Sequence, residues 1–204
     1  MRNLLVFMGL PLAVAAIGCS QTRPPVTFPP GTLPVRYEAS TRHTTCLVAS
    51  VAMAANYLLG ERVYTEANIA QALKNEGKDE TSTADLKAYL ESKGLYLLTL
   101  SGQMDGKPPT SIRYWVQTRR YPVICVINSQ ENDPRFNHAV VVTGIGPKSE
   151  TELSDTVHYL DPSDGQPLHS VPVAEFETLW ARGQHAMMIV VAPPREAASG
   201  PAGN

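Results

Sequence analysis

One stretch limits the folds open to this chain more than any other: Ser40-Thr-Arg-His-Thr-Thr-Cys46-Leu-Val-Ala-Ser-Val-Ala-Met-Ala-Ala-Asn-Tyr-Leu-Leu-Gly60. A run of hydroxyls stops at Cys46, and a small-residue, strongly helical segment runs from there to Gly60. The glycine is a C-terminal stop signal. Leu47, Val51, Ala54 and Leu58 share one face, and Ala49, Ala52 and Ala55 permit close approach on the others. A helix this apolar is expected to pass through the middle of a domain. Its first residue sits where unpaired backbone N–H groups and the positive end of the helix dipole favour a thiolate. Cys46 is therefore a candidate nucleophile. The alternative is a small apolar residue that merely opens a buried helix.

The chain of 204 residues is long enough for one domain with a sizeable core. Its formal charge is −2, with acidic and basic residues interspersed, so no basic stripe points to nucleic acid. Residues 1–18 read as a signal peptide: Arg2, then an apolar core too short for a comfortable membrane span. The core ends in Ala16-Ile-Gly-Cys19-Ser20, which resembles a bacterial lipobox with Cys19 as the lipidated residue. Ser20 after that cysteine resembles lipoproteins sent to the outer membrane. The expectation is a lipid-anchored protein of the bacterial cell envelope. Residues 19–34 read as a Pro-rich tether, 35–192 as the domain and 193–204 as a disordered tail. Of the two remaining cysteines, Cys125 lies in Pro122-Val-Ile-Cys-Val-Ile-Asn128 and reads as part of a buried central strand.

Helices come first along the domain. After Cys46–Leu59, one is expected from Thr65 to about Asn75. Another follows the capping signal Thr81-Ser-Thr83 as far as Lys93, and a fourth spans Thr110–Arg120. Strands are expected at Leu95–Leu100, Val123–Asn128, His138–Ile145, Thr156–Leu160 and Met187–Val191, with a short amphipathic helix at Val173–Arg182. Helices followed by antiparallel strands predict an α+β fold, a helical half packed on a sheet.

A cysteine nucleophile needs a base, and the base needs an orienting group. His138 follows a polar loop and opens an apolar strand, so its ring belongs at the rim of the sheet. Asp161 ends the next strand and can stand beside it, with Asp164 as the alternative. A solvated histidine at a strand start and a plain Asp-Pro turn are the blander readings of the same residues. His43 reads as loop, His158 as an exposed strand position, and His169 and His185 as surface loop positions. No His, Cys, Asp or Glu grouping has zinc spacing, and no Gly-rich phosphate loop is present. Neither a metal nor a cofactor is expected.

Cys46 heading the helix, His138-Ala-Val-Val-Val-Thr-Gly-Ile, Tyr159-Leu-Asp161-Pro and Glu175-Phe-Glu-Thr-Leu-Trp180 together resemble the papain-like superfamily. Within it they resemble the bacteriocin-processing, double-glycine peptidase-like family, over about residues 35–192. The resemblance implies a papain-like fold, a Cys46–His138–Asp161 triad and a peptide or protein substrate. That family usually has Cys-Gly-Pro-Ala at the nucleophile, where this chain has Cys46-Leu-Val-Ala49. It usually has Gln six residues earlier, where this chain has Ser40. The resemblance therefore makes Ser40 and His43 the candidate side chains for the second oxyanion donor, beside the Cys46 N–H. Classical members are fused to an export ATPase, so a free-standing relative is expected. Two other functions fit the same cleft: a lipoprotein that only binds a peptide or partner, and a transglutaminase- or amidase-type acyl transferase.

Overall fold

The computed structural model describes residues 28–133, 135–147, 155–164 and 168–193. Four α-helices, α1 (Cys46–Leu59), α2 (Glu66–Asn75), α3 (Thr83–Ser92) and α4 (Val173–Arg182), pack with one antiparallel sheet. Its strands are β1 (Tyr96–Ser101), β2 (Val123–Ile127), β3 (His138–Pro147), β4 (Asp155–Leu160), β5 (Leu168–Pro172) and β6 (Ala186–Val191). They lie in the order β1-β6-β2-β3-β4-β5. The α+β expectation holds. The signal peptide, Cys19, most of the tether, residues 148–154 and the tail beyond 193 lie outside the described residues.

Helix α1 is buried along Val48–Asn56 and stops at Gly60, whose left-handed backbone lets its N–H reach the carbonyls of Asn56 and Tyr57. It packs on β3, β2 and β6, where Ser50 donates to the Ala139 carbonyl at 3.2 Å. The close contact needs the alanines: longer side chains on that face would hold the helix off the sheet. Helices α2 and α3 begin where their hydroxyls predict, with Thr65 accepting from the Asn68 N–H and Ser82 from the Asp85 N–H. Cys125 is fully buried in β2, as its apolar surroundings predict.

Four local expectations change. The segment Thr110–Arg120 forms only one wide helical turn, Tyr114–Thr118, with the Arg119 N–H bonded back to the Tyr114 carbonyl. Ser111 is drawn instead into a bridge with Gln103, although Ile112, Trp115 and Val116 point inward as expected. Leu168–Pro172 is a strand, and His169 within it stacks on Tyr159 with ring centroids 5.0 Å apart. His158 is buried, not exposed: β5 pairs beside β4 with Ser170 directly opposite, and the Ser170 hydroxyl meets its Nδ1 at 2.8 Å. At the domain's start, Thr32, Leu33 and Val35 are buried, and the Leu33 N–H donates to the Thr143 carbonyl at 2.8 Å. The packed chain thus reaches back to Thr32, along a β3 face kept open by Gly144.

Candidate active site

Cys46 is the first residue of α1 and is 7% exposed. A single 3-10 turn, His43–Thr45, delivers it. That turn is fastened internally by Thr45 Oγ1, which donates to the Arg42 carbonyl and accepts from the Arg42 N–H. Externally, the Thr44 hydroxyl and the Arg42 guanidinium both reach Glu80 in the loop before α3. The hydroxyl-rich stretch thus builds the turn that ends at the thiol.

His138 opens β3 at the level of the α1 N-terminus. Its ring stands beside the Cys46 thiol, close enough for each to shift the other's pKa, and its Nε2 lies 2.7 Å from Asp161 Oδ1. Asp161 follows the last residue of β4, which pairs with β3, and its Oδ1 also accepts the Ser163 N–H at 2.8 Å. Both partners are mostly shielded, with side chains 13% and 17% exposed. Asp164 points elsewhere, with Oδ2 3.3 Å from His169 Nε2. Of the two candidate acids, it is Asp161 that stands against His138.

The electrostatics follow from these contacts. Burial works against charge on Cys46, but the His138 ring and the backbone hydrogen bonds of Ala139 and Leu47 outweigh it. The thiol is held below its ordinary range. Burial likewise opposes charge on His138, yet Asp161 and Cys46 together raise its pKa from 6.5 to about 9. Asp161 would be pushed up by burial, and is pulled down instead by His138 and the Ser163 N–H. The arrangement shifts Cys46 toward thiolate and His138 toward imidazolium, with a carboxylate against the ring. By contrast, burial raises the Cys125 thiol well above its ordinary range.

The two oxyanion candidates fare differently. The Ser40 hydroxyl donates to the Arg42 carbonyl and also meets Thr45 Oγ1 at 3.1 Å, so it serves the turn. His43 is exposed and, with Asn137, lines both of two adjoining hollows, one containing Cys46 and the other His138. One is a cleft of about 570 Å³ floored by Leu47, Val126, Ala139 and Met188, with Arg182 and Gln184 at its side. The other, about 380 Å³, runs past Phe136, His138, Asp161 and Ser163. Sequence reasoning did not find the cleft residues from β2, α4 and β6. Nothing local marks them, because β6 comes to lie beside β2 only when the sheet closes.

A family model describing the Peptidase_C39 like family matches residues 32–188. The chain belongs to this family. As a Peptidase_C39 like protein it is of the cysteine-peptidase kind, acting on peptide or protein substrates. Its fold is similar to the peptidase domain of Streptococcus ComA, a bifunctional ABC transporter involved in a quorum-sensing pathway. That match has 14% identity and a TM-score of 0.54, covering 78% of this chain and 99% of the other. It is also similar to a C39-like peptidase from Bacillus anthracis, at 16% identity and a TM-score of 0.53, covering 79% of this chain and 98% of that one. At such identity these structures support the papain-like fold alone. No curated protein matches the chain.

Proposed function

We propose that this Peptidase_C39 like protein is a cysteine peptidase of the bacterial cell envelope, anchored through Cys19, with Cys46, His138 and Asp161 as its triad. The observation that carries the triad is His138 Nε2 at 2.7 Å from Asp161 Oδ1, with Cys46 beside the same ring at the start of α1. The Cys46 thiolate attacks a peptide or amide carbonyl. A C–S bond forms and the carbonyl π pair moves to oxygen, where the Cys46 backbone N–H at the α1 terminus donates to it. Collapse breaks the C–N bond, and imidazolium His138 gives its proton to the leaving nitrogen. Neutral His138 then takes a proton from water, the hydroxide attacks the thioester, and Cys46 leaves as thiolate. Asp161 holds the ring's orientation and balances its charge throughout.

Iodoacetamide labelling tests the nucleophile. Cys46 should react near neutral pH much faster than a model thiol, and His138→Ala should bring it back to ordinary thiol kinetics. Ordinary kinetics in the native protein would sink the reading. For the anchor, palmitate incorporation in cells should vanish in Cys19→Ser. A second reading, a non-catalytic peptide-binding lipoprotein, is favoured by the Ser40 hydroxyl being spent on the turn. It requires Cys46→Ala to keep its cellular function while folded.

A further inference from the structure

The cleft beside Cys46 is lined by apolar Leu47, Val126, Ala139 and Met188 and by threonines 44, 81 and 83. No aspartate or glutamate lines it among the described residues, and Arg182 is the one lining residue with a fixed charge. The guanidinium stands at the C-terminus of α4 on a wall with little freedom to move. The Gln184 N–H donates to the Ala181 carbonyl and the His185 N–H to the Trp180 carbonyl. The Trp180 indole donates to the Ala186 carbonyl at 2.9 Å. Gln184 and His185 both hold positive φ, 60° and 51°. A Cβ on Gly183 would meet the Val126 carbonyl oxygen at 2.0 Å, so the turn is pressed onto β2. Backbone held this tightly in sparsely populated conformations is commonest where a site must be shaped.

One carboxylate already sits on Arg182. Glu131, in the loop that leads to His138, brings Oε1 to 3.2 Å of its Nη2 while its own side chain stays 79% exposed. An exposed pair of this kind is worth little, so another carboxylate entering the cleft can replace it at small cost. Arg also presents a fork suited to a carboxylate.

Building on the reading of Cys46 as nucleophile, we infer that Arg182 forms a carboxylate-recognition subsite of the substrate cleft, occupied by Glu131 until substrate arrives. The ligand it takes is a peptide carrying an acidic side chain or a free terminal carboxylate within a few residues of the scissile bond.

Peptide electrophiles test this. Vinyl sulfone peptides extend to one side of Cys46 and chloroacetyl-capped peptides to the other. Each is made with Glu, Gln, Lys or Ala at successive positions, and the chloroacetyl peptides also with a C-terminal acid or amide to separate the two carboxylate sources. At one position the Glu probe, or in its place the free acid, should label Cys46 about fivefold faster than its amide isostere. Arg182→Gln should bring that ratio to about one, Arg182→Lys should keep part of it, and Arg182→Glu should turn the preference toward Lys. Glu131→Gln, by freeing the guanidinium, should raise it. Equal Glu and Gln rates at every position together with equal acid and amide rates, or a carboxylate preference surviving Arg182→Gln, would overturn the inference. Should the alanine probe itself prove inert, the nucleophile reading falls. The subsite is then decided by fluorescence anisotropy on Cys46→Ser with acetylated Glu and Gln peptides. Tighter Glu binding lost in Arg182→Gln supports it, and equal binding overturns it.

Discussion

The backbone N–H of Ser40 donates to the carbonyl of Pro162 at 2.7 Å. This bond ties the chain entering the nucleophile's turn to the turn that carries Asp161. Tyr37 reinforces the tie, its hydroxyl within 3.1 Å of the carbonyls of both Pro162 and Asp164. Two parts of the proposed triad far apart in sequence are thereby held in register by backbone groups that any residue but proline at position 40 supplies, while the phenol at 37 is specific.

Tyr37→Phe should therefore loosen the Asp161 turn without touching a reacting atom. The expected loss is about 1 kcal/mol of stability, or roughly 3 °C in Tm by calorimetry. A second readout separates positioning from mere stability: the alkaline limb of the pH–rate profile should move to lower pH, as His138 loses part of its carboxylate support.

Hydrolysis should follow a bell in pH. The acid limb reports ionisation of Cys46, which lies below its ordinary range, and the alkaline limb reports loss of the His138 proton near pH 9. The two values belong to the pair, not to either residue alone. In Asp161→Asn the alkaline limb should fall below 9. An unmoved limb would mean that Asp161 does not govern the His138 charge.

The same contact has a signature in stability. A His whose pKa is raised from 6.5 to about 9 stabilises the fold fully below 6.5, and that contribution disappears as pH rises through about 9. Asp161, depressed on folding, contributes above its unfolded value and loses the contribution as pH falls through its folded one. The stability gap between native protein and Asp161→Asn should therefore be widest between about pH 4 and 6.5, of the order of 2 kcal/mol or roughly 6 °C in Tm, and narrow above pH 9. A gap constant from pH 5 to 9.5 would refute the charge pairing.

Ser40→Ala removes a hydroxyl that donates to the Arg42 carbonyl and meets Thr45. About 1 kcal/mol of stability should go, with turnover per folded molecule kept within about twofold. A fall of a hundredfold or more in kcat would instead assign Ser40 to the oxyanion.

Gly183→Ala places a methyl 2.0 Å from the Val126 carbonyl oxygen, against backbone that cannot yield. We expect at least about 2 kcal/mol of destabilisation, roughly 5 °C or more in Tm. Equal stability would show that the turn after α4 is not pressed onto β2.

By itself the sequence determined the elements whose cause is local. The small-residue period of 46–60 makes a helix that the sheet can wrap, Gly60 stops it, and Thr65 and Ser82 cap the next two. It also marked Cys46, His138 and Asp161, because a helix start, a strand start and a strand end are each written in short-range composition. Whether they meet was a matter of pairing: β3 against β4 sets His138 beside Asp161, and α1 lying on β3 brings in the thiol. The tertiary structure alone decided the rest. It set His158 opposite Ser170 on β5, a strand that short-range pattern does not reveal. It also drew Arg182, Met188 and Val126 together around one cleft. The cleft depends on contacts between residues tens of positions apart, and the His158 pairing on one across twelve. Such contacts form only when the whole sheet closes and its buried polar groups must find partners.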